Sequence, residues 1–377
     1  MMRNLLVVAA LLAAAPASAQ IKIGVITSST GPISVVGIPQ KNTIALLPKE
    51  IGGVSVEYEV LDDGSDPTQT VQDVKKLLSE NVDAIIGPSG SPNAMGVIGT
   101  MAEAGTPMLA PVGTAAAVLP MNDQKKWVFK TTQNDDIIAA ALIDHMVKTG
   151  IKTVGMISVS DPYGENWVKT FGALAAKAGV TIVGSEKYQR ADTSVTAQAL
   201  KLVAASPDAI LVAAAGASTV LPETTLVDVG YKGKIYQTHG AAAPDFLKLG
   251  GSKVEGTILA ASLMLVLNEI PDDNPSKKVA VAYIDAYKKL YGVAPATFGA
   301  NVYDAGLLLS AAAPAALAKA KPGTPEFRSA LRDALEQTKN LVATQGVYNM
   351  TPQDHSGFDD RGRVMIVVKD GAWRLIR

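Results

Sequence analysis

The sequence predicts an α/β protein built as two doubly wound lobes. Three observations lead there. β-rich runs alternate with helix-compatible patterns along nearly the whole chain after residue 20. The alternation runs to about residue 115 and starts afresh near residue 137, so there are two such units. Several β-rich runs also end in loops of glycine, serine and threonine, placed where a parallel sheet delivers residues to a ligand crevice. A chain of 377 residues has room for two or three domains.

The chain opens with MMRNLLVVAALLAAAPASAQ. Arg3 precedes an apolar run from Leu5 to Ala15, Pro16 breaks it, and Ala17-Ser18-Ala19 supplies small residues before a cut. This predicts a secretory signal peptide over residues 1–19. The apolar run falls short of the ~20 residues that span a bilayer. The chain contains no cysteine, which excludes disulfides, thiolate metal sites, a cysteine nucleophile and a lipid-bearing cysteine at the cut. The expected product is a soluble exported protein of a bacterial periplasm. Net charge is −1, with 34 basic against 35 acidic residues and no long basic run interleaved with aromatics, so no nucleic-acid partner is expected.

In order, residues 21–27 read as a strand, and 37–51 as at best an irregular helix, limited by Pro39 and Pro48. Residues 54–63 alternate as a strand. Residues 66–80 form a helix capped by Asp66 and opened by Pro67, with Val71, Val74, Leu77 and Leu78 on one face. Then come strand 82–87, helix 95–105 and strand 106–112. The second unit begins with helix 136–150, strand 153–160, a loop and helix over 161–179, and strand 181–188. It continues through helix 194–206, strand 208–215, segment 216–230 and strands 234–240 and 256–262. Helices over 274–292, 298–320 and 322–338 follow, and the tail is a hairpin turning at Asp370-Gly371.

Three strand ends of the first unit carry hydroxyls and open backbone: 27–31 (TSSTG), 87–91 (GPSGS) and 112–115 (VGTA). For GPSGS two uses fit, a tight turn or a cradle for an anion. Hydroxyls and N–H groups take over the solvation of a buried carboxylate, and the helix that follows adds a favourable dipole. Hydrolase chemistry is disfavoured because GPSGS is not the G-x-S-x-G elbow. The loop also lacks the lysine of a phosphate-binding loop. Three isolated histidines without H-x-x-x-H spacing give little support to a metal. No cofactor is expected.

On IKIGVITSSTGP, DDGSDPTQTVQDVKKLLSENVDAIIGPSGS, TPMLAPVGT, ISVSDPYGENW and VDVGYKGKIYQTHG, the mature chain resembles the type I periplasmic solute-binding proteins of ABC importers, in the branched-chain amino acid (Leu/Ile/Val) binding group. The resemblance implies two Rossmann-like lobes joined by a three-segment hinge, lobe one spanning 20–132 plus 263–347 and lobe two 133–262 plus 348–377. It implies a monomer that closes on a ligand and docks on a membrane permease. Ser91 falls on the family's carboxylate-binding serine, with Ser89 beside it. Gly113 and Thr114 fall on its backbone and hydroxyl contacts, and Tyr163 on the tyrosine that covers the ligand. Near Gly216 the family often has an aromatic residue, where this chain has only small ones. Ser29 and Phe298 are candidate pocket lining, though Phe298 equally suits a core.

The informative departure is His239. It stands where amino-acid binders carry a glutamate that pairs with the ligand's α-ammonium. A neutral imidazole pairs with a hydroxyl or carbonyl, and a protonated one repels ammonium. The ligand that fits is a carboxylate without an amino group, foremost a benzoate derivative, since QTHG and GVYNMTPQDHSGFD look like the aromatic-acid subset of the family. A para-hydroxyl would meet His239 or another polar group of lobe two. A branched-chain or other amino acid is the alternative, and a ligand-sensing receptor module without a transport role ranks below it. His145 and His355 read as structural.

Overall fold

The computed structural model describes residues 20–377; the signal peptide expected over residues 1–19 lies outside the described residues. β1 (Gln20–Thr27) hides residues 23–27 from solvent on both faces, as a central parallel strand must. There follow α1 (Ser34–Thr43), β2 (Glu50–Ile51), β3 (Val54–Asp62), α2 (Pro67–Ser79), β4 (Ala84–Ile86), α3 (Ser91–Glu103), β5 (Met108–Ala110) and β6 (Val128–Lys130). The strands lie in the order β2-β3-β1-β4-β5-β6. All neighbours are parallel except the short β2 against β3.

The second sheet is fed by α4 (Asp135–Lys148), β7 (Thr153–Val159), α5 (Pro162–Lys177), β8 (Thr181–Tyr188), α6 (Thr196–Ala204), β9 (Ala209–Ala213), α7 (Val220–Asp228), β10 (Lys234–Gln237), α8 (Pro244–Gly250) and β11 (Ile258–Ala261). After α9 (Pro275–Tyr291), α10 (Thr297–Leu317) and α11 (Pro325–Leu335) come a small ribbon, β12 (Leu341–Val342) and β13 (Val347–Tyr348), and the terminal hairpin, β14 (Val364–Lys369) and β15 (Ala372–Leu375). The sheet order is β15-β14-β11-β10-β9-β7-β8, with β14 antiparallel to β11. Asp370 and Gly371 both take positive φ (54° and 69°), the geometry of a tight hairpin turn. The fold is therefore the expected pair of doubly wound α/β lobes. Among the described residues no helix is long and apolar enough to cross a membrane.

Local chemistry explains most elements. Asp66 accepts from Thr68 N at 2.7 Å and Pro67 opens α2, while Val74 and Leu77 are buried and Val71 and Leu78 half-buried. Two expectations are corrected. α1 begins at Ser34 and carries Pro39 in its interior, because burial of Val36, Pro39 and Gln40, on a helix that packs chiefly along α10, outweighs the one lost backbone donor. Gly37 makes that approach possible, since a Cβ there would lie 2.0 Å from Ser28 O. α3 starts at Ser91, four residues before the apolar period that marks it in the sequence.

The chain passes between the sheets three times, after β6, after β11 and before β14. Residues 263–287 pack with Leu259, Ile366, Val368 and Trp373 of the second sheet, whereas Met350 and Phe358 pack with the first. His355 is fixed there. Its ring stacks on Phe129 at 4.2 Å, Nδ1 lies 2.8 Å from Val128 O, and its carbonyl accepts from Lys130 N at 2.8 Å. His145 Nδ1 lies 2.9 Å from the Tyr236 hydroxyl.

Asp304 of α10 is fully buried and accepts from Thr344 N at 2.9 Å and Thr344 Oγ1 at 2.7 Å. Burial pushes its carboxyl up to about 7. Its contribution to stability is full below the ordinary carboxyl range and is lost as pH rises toward the folded value. Asp304→Asn, an isostere of the protonated form, is expected to cost roughly 2 kcal/mol less near pH 8 than near pH 5 in denaturant unfolding. Equal costs at the two pH values would show that the carboxyl does not titrate there.

Candidate functional site

β4 ends against β1 so closely that a Cβ on Gly87 would lie 2.2 Å from Ile26 O, and Gly87 has φ +118°. The loop beyond it is then tied down. Ser89 Oγ accepts from Ser28 N at 2.9 Å and donates to Gln40 Oε1 at 2.5 Å. Ser91 is the first residue of α3, with Gly90 as its cap. The first-turn N–H groups of a helix have no intrahelical partner, and Pro92 removes one of them. Asn93 is held by Asp63 Oδ2 at 2.9 Å and Thr70 Oγ1 at 2.7 Å. Asp63, fully buried, also accepts from Ser28 Oγ (2.6 Å), Thr70 Oγ1 (2.9 Å) and Ser65 N (2.9 Å).

The other wall belongs to the second lobe. Asp161 caps α5, its Oδ1 accepting from Tyr163 N at 2.9 Å and Gly164 N at 3.2 Å. Its Oδ2 takes the Arg190 Nε–H at 2.6 Å. The Tyr163 hydroxyl donates to Thr238 Oγ1 at 2.8 Å, which donates to Ala214 O at 2.9 Å. Tyr163 therefore offers the cleft its ring rather than its hydroxyl. His239 follows β10 in a tight turn, its ring edge-on to Tyr163 at 6.2 Å.

The walls meet at Gly113, where a Cβ would lie 2.8 Å from both His239 Nε2 and Tyr163 Cε2. Gly113 O accepts from Lys130 Nζ at 2.6 Å, and the same ammonium donates to Asn134 Oδ1 at 2.7 Å and Gln133 O at 3.2 Å. Burial lowers the Lys130 pKa and raises that of Asp135, whose charges support each other. Asp135 Oδ2 takes an Asn166 amide at 2.5 Å, and its Oδ1 lies 4.0 Å from His239 Nε2. Burial first, then the Lys130 charge, pushes His239 down to about 3, so its imidazole is neutral at ordinary pH.

Between the walls lies a cavity of about 260 Å³. Of the residues expected at a site, Ser89, Ser91, Gly113, Tyr163, His239 and Phe298 line it. Three do not. Thr114 is buried behind the wall, its hydroxyl accepting from Ala116 N at 3.3 Å. Gly216 lines a smaller neighbouring pocket, with φ +72° and room for a Cβ only 3.5 Å from Ile33 Cα. Ser29 is buried outside the lining. Four prolines, Pro32, Pro67, Pro92 and Pro111, are among the lining residues, and Phe298 packs with Ile33, Val36 and Ala243. Sequence reading missed Arg190, Asp161 and Asn301, which also line the cavity. The first two were within reach, since Asp161 directly follows one strand run and Arg190 comes two residues after another, at the end that holds the other site loops.

Two α/β lobes enclosing a donor-rich, apolar-walled cavity at their strand ends define a two-lobed small-molecule-binding protein. The model of the periplasmic binding protein family matches residues 20–372, and the chain belongs to that family. Among curated relatives, the Leu/Ile/Val-binding protein BraC3 of Rhizobium johnstonii is 25% identical, over 90% of this chain and 89% of its own. An extracellular ligand-binding receptor from Rhodopseudomonas palustris HaA2 is 47% identical over 95% of this chain and 100% of its own, with a TM-score of 0.92. A solute-binding protein of an ABC transporter from Rhodopseudomonas palustris BisB5, solved in complex with 3,4-dihydroxybenzoic acid, has a TM-score of 0.79 over 95% of this chain and 96% of its own. At 20% identity that likeness is one of fold.

Histidine-selective NMR checks the electrostatics of the cavity. The His239 ring is expected not to titrate between about pH 5 and about pH 8, and a midpoint near the ordinary histidine value would mean that it is solvated or paired with an ionised carboxylate.

Proposed function

We propose that this protein is the periplasmic solute-binding component of an ABC importer and that it captures a small carboxylate lacking an α-ammonium, foremost a benzoate-type aromatic acid. One observation carries the ligand class: among the described residues, the cavity lining offers polar donors and no uncommitted carboxylate. Its one acidic lining residue, Asp161, has both oxygens occupied by two backbone N–H groups and a guanidinium. An α-ammonium buried there would lose water without gaining a counter-charge.

The ligand carboxylate sits at the first turn of α3, against the Ser91 hydroxyl and backbone N–H groups, where charge-assisted bonds and the helix dipole act together. Ser89 supports that turn through Ser28 and Gln40 rather than touching ligand. Thr114 and Gly216 likewise act from behind the wall. His239 adjoins Gly113, so its neutral imidazole serves the carboxylate end and not a para-hydroxyl. The Tyr163 ring and the proline walls take the flat apolar body. The lobe bounds expected from the sequence, 20–132 plus 263–347 and 133–262 plus 348–377, shift in this reading: residues 263–287 go with lobe two, whose sheet they pack on, and the last crossing follows Phe358, which packs in the first core. Hinge closure traps the ligand because both lobes contact it only when shut. The protein acts as a monomer, without cofactor, metal, catalysis or nucleic acid, and delivers its ligand to an inner-membrane permease.

A second reading, a branched-chain amino acid binder, is favoured by the relatives' names and by the Leu/Ile/Val-binding family pattern. A receptor module without a transport role ranks third. Calorimetric titration of refolded, ligand-free protein separates the first two. Benzoate or 4-hydroxybenzoate is expected to bind and leucine to remain silent; tight leucine binding overturns the proposal. His239→Glu is expected to weaken aromatic-acid binding by at least about 10-fold through repulsion of the carboxylate. Gly113→Val, which drives methyls into His239 and Tyr163, is expected to hold the lobes apart, seen as a larger radius of gyration with ligand present than in the wild type.

A further inference from the structure

Arg190 is the charged group in the cavity that the reading above leaves without a task. Its guanidinium has five N–H donors. Three are spoken for: Nε–H by Asp161 Oδ2 at 2.6 Å, and the Nη1 pair by Ala215 O at 2.8 Å and Ser218 Oγ at 3.2 Å. Among the described residues, no protein atom accepts from Nη2. The guanidinium is thus held in one orientation by three acceptors on its inner side, and it lines the cavity with its remaining donors unspent.

Strand order places this group far from the carboxylate end. In the second sheet β10, which leads to His239, lies three positions from β8, which leads to Arg190. In the first sheet β5, which leads to Gly113, lies three positions from β3, which leads to Ser65 and Pro67. All five residues line one cavity, so it runs across three strand spacings in both lobes, about 14 Å at ~4.8 Å each. Gly113 and His239 touch at one end, which leaves Arg190 at the other. The Asp161 carboxylate beside it cancels its net charge, so a second full carboxylate gains little there, whereas an uncharged oxygen meets two fixed donors.

We propose that Arg190 is a specificity-determining residue: its free Nη2 donors recognise a hydroxyl or carbonyl oxygen on the ligand end remote from the carboxylate. The ligand is then an oxygen-substituted carboxylic acid rather than a purely apolar one. This rests on the carboxylate reading of the cleft but not on the ligand's ring.

The test is calorimetric titration of refolded full-length mature protein, wild type and the variants Arg190→Met and Arg190→Lys, with two matched sets of acids. The aromatic set is benzoate, 4-methylbenzoate, 4-hydroxybenzoate and terephthalate. The aliphatic set is hexanoate and 6-hydroxyhexanoate, with leucine as the amino-acid control. Wild type is expected to prefer the hydroxy acid over its methyl or unsubstituted partner by about 10-fold or more, and over terephthalate. Arg190→Met is expected to erase that ratio, even though the Asp161 carboxylate it leaves unpaired lowers affinity for every acid, and Arg190→Lys, lacking the fork but keeping the charge, to retain part of it. The readout is a ratio within each variant, which a general loss of stability does not move. Discrimination confined to the aliphatic pair keeps the role of Arg190 and sinks the aromatic reading. No discrimination by the wild type, or equal loss for every acid in Arg190→Met, overturns the proposal while leaving the carboxylate reading intact. Silence from every acid with tight leucine binding overturns both, as does silence throughout.

Discussion

The site depends first on one buried carboxylate. Asp63 stands at the end of β3 and is fully withdrawn from solvent, where an unsatisfied charge would be costly. It is satisfied by Ser28 beyond β1, Ser65 on its own loop, Thr70 in α2 and Asn93 in α3. Four separate pieces of chain are thereby locked to one pair of oxygens. Because Asn93 is the third residue of α3, the network fixes the helix turn whose free N–H groups line the cavity. No part of this network needs the ligand, so lobe one arrives with its donors already aimed. A single methylene or amide change at Asp63 would strand several donors at once, and the damage would appear in binding as well as in stability.

Lobe two is organised differently. Tyr163 is held by one bond, to Thr238, and Arg190 by three, to Asp161, Ala215 and Ser218, and each faces the cleft with what remains. Gly113 abuts His239 and Tyr163, Thr297 Oγ1 donates to Ala242 O at 2.8 Å, and Ile33, Val36 and Phe298 close over Ala243. These contacts are small and mostly apolar.

Much of this was legible in the sequence, and the gaps have physical causes. The two doubly wound units and the loops GPSGS and DPYG follow from period, punctuation and caps that act within a few residues. Pro39 shows only its local cost in the sequence, whereas the packing of Gly37 on Ser28 that seats α1 is a tertiary fact. The start of α3 is hidden in the sequence because Ser91, Asn93 and Ala94 are buried without an apolar period to announce it. β6 is three residues ending in Lys130, and a lysine in a fully buried strand goes against residue type. Its ammonium is tolerated because three acceptors meet it. Thr114 and Gly216 show the limit of carrying a motif over: each sits at the right strand end, but which side of a turn faces the cavity is decided by neighbours far away in the chain. Arg190 was the reverse case, with the strand end visible but the residue passed over.

The proline content of the cavity wall bears on how the protein discriminates. Most binding pockets are lined by side chains that settle into place around a guest, giving up rotamer freedom and, in exchange, tolerating a range of shapes. Pro32, Pro67, Pro92 and Pro111 have no such freedom to give up. A guest of the right outline is met by a surface already in its final form, so little ordering opposes the association. A guest that is too thick meets, at those four positions of lobe one, no side chain that can step aside. Discrimination against poorly shaped solutes in a mixed environment is then a property of the unoccupied protein, present before any solute arrives.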